Sequence, residues 1–118
     1  MAVINVGVDF SPDPQGRFRT DGDSSGEAFR EDFLWPALSK LSAGEKLTII
    51  LDDGVETFGS SFLTEGFAGI VKYGYMRPND LLGVLEFKFQ NMDFDFYRKK
   101  ILRYIAEATF NSKKYIPG

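Results

Sequence analysis

Two adjacent hydroxyls, Ser60 and Ser61, follow Gly59 where an apolar run gives way to a helical pattern. Hydroxyls at a helix start can cap it, bind an anion or accept a phosphoryl group, because free N–H groups and the macrodipole favour negative charge there. A phosphoryl group on either would add about −1.5 to −2 charge. A plain N-cap is the simpler reading of the pattern by itself. Phe58 and Phe62 flank the pair, and Phe62 falls off the main apolar stripe of the helix that follows. An aromatic beside a switchable hydroxyl suits a partner surface, so Phe58, Gly59, Phe62 and Glu65 form the candidate partner-binding patch.

Asp52 and Asp53 close the apolar run before these serines. Paired carboxylates at the carboxyl edge of a parallel sheet could hold magnesium in a phosphate-handling site. A solvated turn that stops the strand is the favoured reading. Arg17 and Arg19, with the glycines and the Ser25 hydroxyl that follow, could form an anion cradle. The segment has neither the GK[ST] of a phosphate-binding loop nor a GxGxxG order. A turn in which Arg17 pairs with Asp21 or Asp23 is preferred. Arg98, Lys99, Lys100 and Arg103, with Lys113 and Lys114 beyond, lie among Tyr97, Tyr104 and Tyr115. That mixture suits nucleic acid, yet a solvated helix face is the stronger reading.

Composition removes many alternatives. There is no His and no Cys among 118 residues, which excludes Ser-His-Asp and Cys-His catalysis, disulfides and zinc–thiolate sites. Residues 1–97 carry 8 Lys/Arg against 16 Asp/Glu, whereas residues 98–118 carry 6 against 1. The acidic body would repel a phosphate backbone over most of its surface, so nucleic acid is disfavoured as a partner. No apolar stretch reaches the ~20 residues of a membrane helix, and the first residues lack a basic leader. The expectation is one cytoplasmic domain over residues 1–118, not an enzyme, with no cofactor and no membrane partner.

The elements that position these groups follow from periodicity. Residues 3–8 read as a first strand, and Arg17–Arg19 as a short second one turning back on it. Ser24 and Glu27 have capping-box spacing, so a helix begins there and runs to Leu41, with Pro36 bending or dividing it. Residues 46–53 form a near-continuous apolar run, as in a central strand covered by helices on each face. A second helix spans 60–74, buried through Leu63, Phe67, Ile70 and Val71, with Gly66 and Gly69 marking the close approach of another backbone. A helical turn at Asp80–Leu82, an edge strand over 84–89 and a helix from Asp93 to Phe110 complete the domain, followed by a polar tail. This order implies an α/β layer: a mixed, mostly parallel sheet of about four strands with helices packed against it.

The series DFS-P-x-GR-x-x-x-DG-x-x-SGEAFRE, then LTIILD, then GSSFLTEGFAG, over about residues 4–90, resembles the bacterial STAS-like family of unassigned function. That family is a distant branch of the STAS domains, which include the anti-sigma-factor antagonists. The resemblance implies a mixed sheet with packed helices. In the antagonists a Ser-Ser pair begins the helix after a buried strand, and a partner ATPase-kinase phosphorylates the second serine. Carried over, that serine is Ser61, preceded by Ser60. The antagonists usually read Asp-Ser-Ser-Gly-Leu, whereas Phe62 here stands in place of the small glycine. The resemblance thus implies a non-enzymatic regulatory module that docks an ATPase-kinase of the anti-sigma type through residues 58–65. The alternatives are a magnesium- or nucleotide-dependent phosphate-handling domain using Asp52, Asp53 and Arg17, and a nucleic-acid-binding accessory using the last helix.

Overall fold

A computed structural model describes residues 2–117. Three strands, β1 (Ala2–Asn5), β2 (Leu47–Ile50) and β3 (Leu85–Lys88), form one sheet in the order β1-β2-β3. Both pairings are parallel, with Ile4 beside Ile49 and Ile49 beside Phe87. The domain is α/β, but its sheet has three strands and is wholly parallel among the described residues. The expected fourth strand at Arg17–Arg19 is instead a turn leading into a 3-10 segment, Arg19–Asp21. The Asp21 carboxylate gathers the N–H groups of Arg17 and Phe18 at 3.2 and 2.9 Å, which curls a segment that would otherwise extend.

The first strand is also shorter than its β-branched run implies. Asn5 ends it by accepting from the Val8 N–H through its side chain, while its own N–H donates to Asp9. Residues Val6–Phe10 then form one wide π-helical turn. A Cβ on Gly7 would lie 1.9 Å from the Asp53 carbonyl oxygen, so only glycine lets this turn cross the end of β2.

Helix α1 covers residues 26–39, with a π-helical segment at Arg30–Leu34 in its middle. The Trp35 N–H reaches back to the Arg30 carbonyl, and Pro36, which has no N–H, sits just beyond this widened turn. The proline is thus carried within a continuous helix. The N-cap is Ser25, one residue later than the spacing suggests, and its hydroxyl accepts from the Ala28 N–H at 3.2 Å. Ser24 lies within hydrogen-bond distance of the Ser11 hydroxyl instead.

Helix α2 covers residues 60–72 and likewise widens at Thr64–Ala68. It ends before Gly74, whose φ of 82° lies in the left-handed region that glycine accepts freely. Helix α3 (Pro78–Val84) leads directly into β3, and α4 (Asp95–Glu107) packs on α2 and α3. The helices α1 and α2 cross at glycines: a Cβ on Gly26 would lie 2.6 Å from the Phe62 carbonyl oxygen and 2.8 Å from the Gly66 nitrogen. Aromatic rings fill the space around this crossing, with Phe29 5.4 Å from both Phe62 and Phe67.

β2 is central, as its apolar run implies, and Leu47, Thr48 and Ile49 are buried. The second face of the sheet is more open than expected. There Val3 is 43% exposed, and Glu86 and Lys88 reach solvent on the other margin of Thr48 and Ile50.

Candidate functional site

The start of α2 carries the two serines. Gly59 is the N-cap and has no side chain to cap with, so no side chain satisfies the main-chain donors of the first turn. Ser60 is exposed and Ser61 half-buried. Lys100, from α4, brings its Nζ to 3.3 Å from the Ser60 Oγ and also stands 4.8 Å over the Phe96 ring. Phe96 is 58% exposed. One small patch therefore joins a hydroxyl at a helix N-terminus, a cation and an open aromatic ring.

The rest of the expected patch is interior. Phe58 and Phe62 are buried and lie 6.0 Å apart, and Phe58 also meets Phe94 and Tyr97. Phe62 leaves the main α2 stripe only to enter a second buried seam against Phe10 and Phe29. Neither ring faces solvent, and Phe96 is the exposed aromatic beside the serines. Glu65 is buried as well, only 2% exposed, and belongs to a different constellation.

That constellation surrounds Arg30, which has no solvent exposure. Its Nη1 donates to the Glu65 carboxylate at 2.9 Å and to the Glu65 carbonyl at 2.8 Å, and its Nε donates to Glu31 at 2.7 Å. The guanidinium lies between two aromatic faces, 4.6 Å from the Tyr73 centroid and 4.8 Å from that of Tyr115. Each nearby carboxylate also receives a phenol: Tyr73 donates to Glu65, Tyr75 to Glu31 and Tyr115 to Glu27. Burial works against the arginine charge, but bonds to Glu31 and Glu65 outweigh it and hold its pKa above the ordinary value. A Cβ on Gly69 would lie 2.6 Å from Nη1, so this glycine makes room for the guanidinium, whereas Gly66 faces the Gly26 backbone.

The constellation accounts for the SGEAFRE and TEGFAG segments. Glu27, Arg30 and Glu31 come from α1 and Glu65 from α2. The tyrosines come from the end of α2 and from the chain terminus, which returns over α2 through Asn111 N–H to Val71 carbonyl and Lys113 N–H to Lys72 carbonyl bonds. A buried arginine is legible only once these distant partners are known.

Arg17, Arg19 and Ser25 do not converge on an open cradle. Arg17 lies 3.6 Å from Glu65, Arg19 forms a two-point pair with Asp32, and Ser25 is the buried cap of α1. The N–H groups of Gly26 and Glu27 are already taken by the carbonyls of Gly16 and Arg17. Asp21 serves the Arg17 N–H rather than its guanidinium.

Asp52 and Asp53 border a groove of about 640 Å³ at the carboxyl end of β2 and β3, whose other lining includes Ile50, Phe87 and Lys88. Asp52 accepts the N–H groups of Gln90 and Asn91, both at 2.8 Å, and Asp53 accepts from the Asn5 amide at 2.8 Å. Both carboxylates thus tie the loops after the strands together. Among the described residues no cluster of three acidic side chains is placed to hold a metal ion. Arg17 is not part of this groove.

The basic run is largely paired. Arg98 and Lys99 share Asp95, which holds that carboxyl below its ordinary range, and Arg103 lies 3.9 Å from Glu107. Among the described residues no helix is long and apolar enough to cross a membrane.

Fold and site together define a small parallel α/β domain with a polar clasp inside and a serine-bearing helix start outside. No family model, curated protein or solved structure matches the chain.

Proposed function

We propose that the chain is a non-enzymatic regulatory module that binds a partner protein, in the manner of an anti-sigma-factor antagonist, with a serine at the start of α2 as its switch. The carrying observation is the exposed Ser60 hydroxyl at an uncapped helix start, beside Lys100 and the open Phe96 ring. A dianion at this point gains from the helix end and from the Lys100 cation, so modification would not unfold the domain. A partner face that accepts a neutral hydroxyl would be repelled by that charge, giving two affinities for one surface. The STAS resemblance adds an ATPase-kinase of the anti-sigma type as partner and names Ser61 as the target. The greater exposure of Ser60 favours the first of the two hydroxyls.

The test is intact-mass and phosphosite analysis of the protein from its native cell, and after incubation with a co-encoded ATPase-kinase. One added phosphoryl group on Ser60 or Ser61, lost in the Ser60→Ala, Ser61→Ala double variant, supports the reading. Unmodified serines in both preparations would overturn it.

The groove beside Asp52 and Asp53 favours a second reading, a magnesium- or nucleotide-dependent phosphate-handling domain. Thermal stabilisation by magnesium with a nucleotide, abolished in Asp53→Asn, would select it over the binding module.

A further inference from the structure

β3 is an outer strand, paired among the described residues only along its inner edge. The Leu51 N–H donates to the Lys88 carbonyl at 3.0 Å, which turns the main-chain groups of Lys88 toward β2 and, two residues back, those of Glu86. The N–H and carbonyl groups of Phe87 therefore point away from the sheet. Among the described residues no other segment's main chain hydrogen-bonds to them.

We propose that this edge pairs with the same edge of a second copy of the chain, antiparallel and centred on Phe87, to give a two-fold dimer with one continuous six-stranded sheet. Two independent features agree on this register. The first is charge: around Phe87 the order is Leu85-Glu86-Phe87-Lys88-Phe89. Centring the pair on Phe87 sets Glu86 opposite Lys88 of the second copy, and Lys88 opposite its Glu86. Opposite charges directly across a strand pair are attractive, whereas parallel in-register pairing would oppose like charges. The second is hydrogen-bond parity. The two Phe87 residues would exchange both main-chain bonds, which leaves the charged pairs at non-hydrogen-bonded positions, where side chains come closest.

Packing points the same way. Phe87 and Phe89 are only half-buried on this outer margin, and pairing lays each beside the apolar edge of the other copy. Charges on an edge strand commonly deter pairing. Here their signs deter strangers and parallel mates but match their own antiparallel copy.

Light scattering over a range of concentrations should show a monomer–dimer equilibrium. Lys88→Glu, a change at an exposed site, should weaken dimerisation by about tenfold with unchanged circular dichroism. Adding Glu86→Lys to it reverses both signs and should restore the dimer. Because the chain has no cysteine, the double variant Glu86→Cys, Lys88→Cys should form a disulfide-linked dimer on oxidation. Monomeric mass at every attainable concentration would overturn the proposal. So would a dimer indifferent to the charge reversals, or one whose cysteine variant stays unlinked.

Discussion

Arg30 and Glu65 meet between α1 and α2 almost out of reach of solvent, with Nη1 2.9 Å from the carboxylate. A buried ion pair adds little net stability over an apolar replacement, but removing one member strands the other. Glu65→Ala is expected to cost about 3–5 kcal/mol in urea unfolding. The double variant Arg30→Met, Glu65→Leu is expected to lose much less. A double-variant loss equal to the sum of the Arg30→Met and Glu65→Leu losses would show that the two groups are not coupled.

The phenols around the clasp set an alkaline limit. Burial, and then its bond to Glu31, pushes Tyr75 up from 10.0 to about 12. Burial and Glu27 do the same to Tyr115, also to about 12, and Tyr73 moves in the same direction against Glu65. The folded chain holds these protons more tightly than the unfolded one, so their stabilisation is complete below 10.0 and is lost as pH rises through about 12. Denaturant midpoints should fall across that window, with part of the tyrosinate absorbance delayed beyond it. In Tyr75→Phe the fall should be smaller. A protein whose tyrosines all ionise near 10.0 without loss of stability would contradict this assignment.

Periodicity carried the frame of this domain further than its site. The β2 run, the α2 stripe through Leu63, Phe67, Ile70 and Val71, and the stop at Gly74 were all legible, since each is a local pattern with one dominant cause. Arg17–Arg19 alternates like a strand, but the Asp21 carboxylate captures its N–H groups, a side-chain competitor that alternation does not register. Phe62 misled differently. It sits off one stripe because α2 buries two, one against the sheet core and one against α1. The Arg30 clasp was not legible, because its partners stand up to 88 positions apart, as Tyr115 and Glu27 do. Likewise the terminal segment, polar by composition, is held in place by main-chain bonds to Val71 and Lys72.

The glycines should separate close packing from helix propensity. Gly26→Ala would drive a Cβ to 2.6 Å from the Phe62 carbonyl oxygen, a main-chain atom with little freedom to withdraw. The expected cost is about 1–3 kcal/mol, despite alanine's better helix propensity. Gly83, in α3, has open space where its Cβ would stand. Gly83→Ala should therefore stabilise by about 0.4–1 kcal/mol. A midpoint that rises in Gly26→Ala, as it should in Gly83→Ala, would refute the close crossing of α1 and α2.

Charge at the start of α2 should stabilise the isolated domain. Ser60 is the first residue of that helix, and its Oγ lies 3.3 Å from Lys100 Nζ. Ser60→Asp places a carboxylate where the helix end and a lysine both favour it, for a gain of about 0.3–1 kcal/mol at low ionic strength. Added salt should erode the gain, and Lys100→Ala should remove part of it. Ser61→Asp should gain less, because a half-buried site desolvates the new charge. If Ser60→Asp destabilised the fold, the helix start could not hold a phosphoryl group without disrupting the domain. A serine switch there would then have to work by unfolding rather than by changing the face offered to a partner.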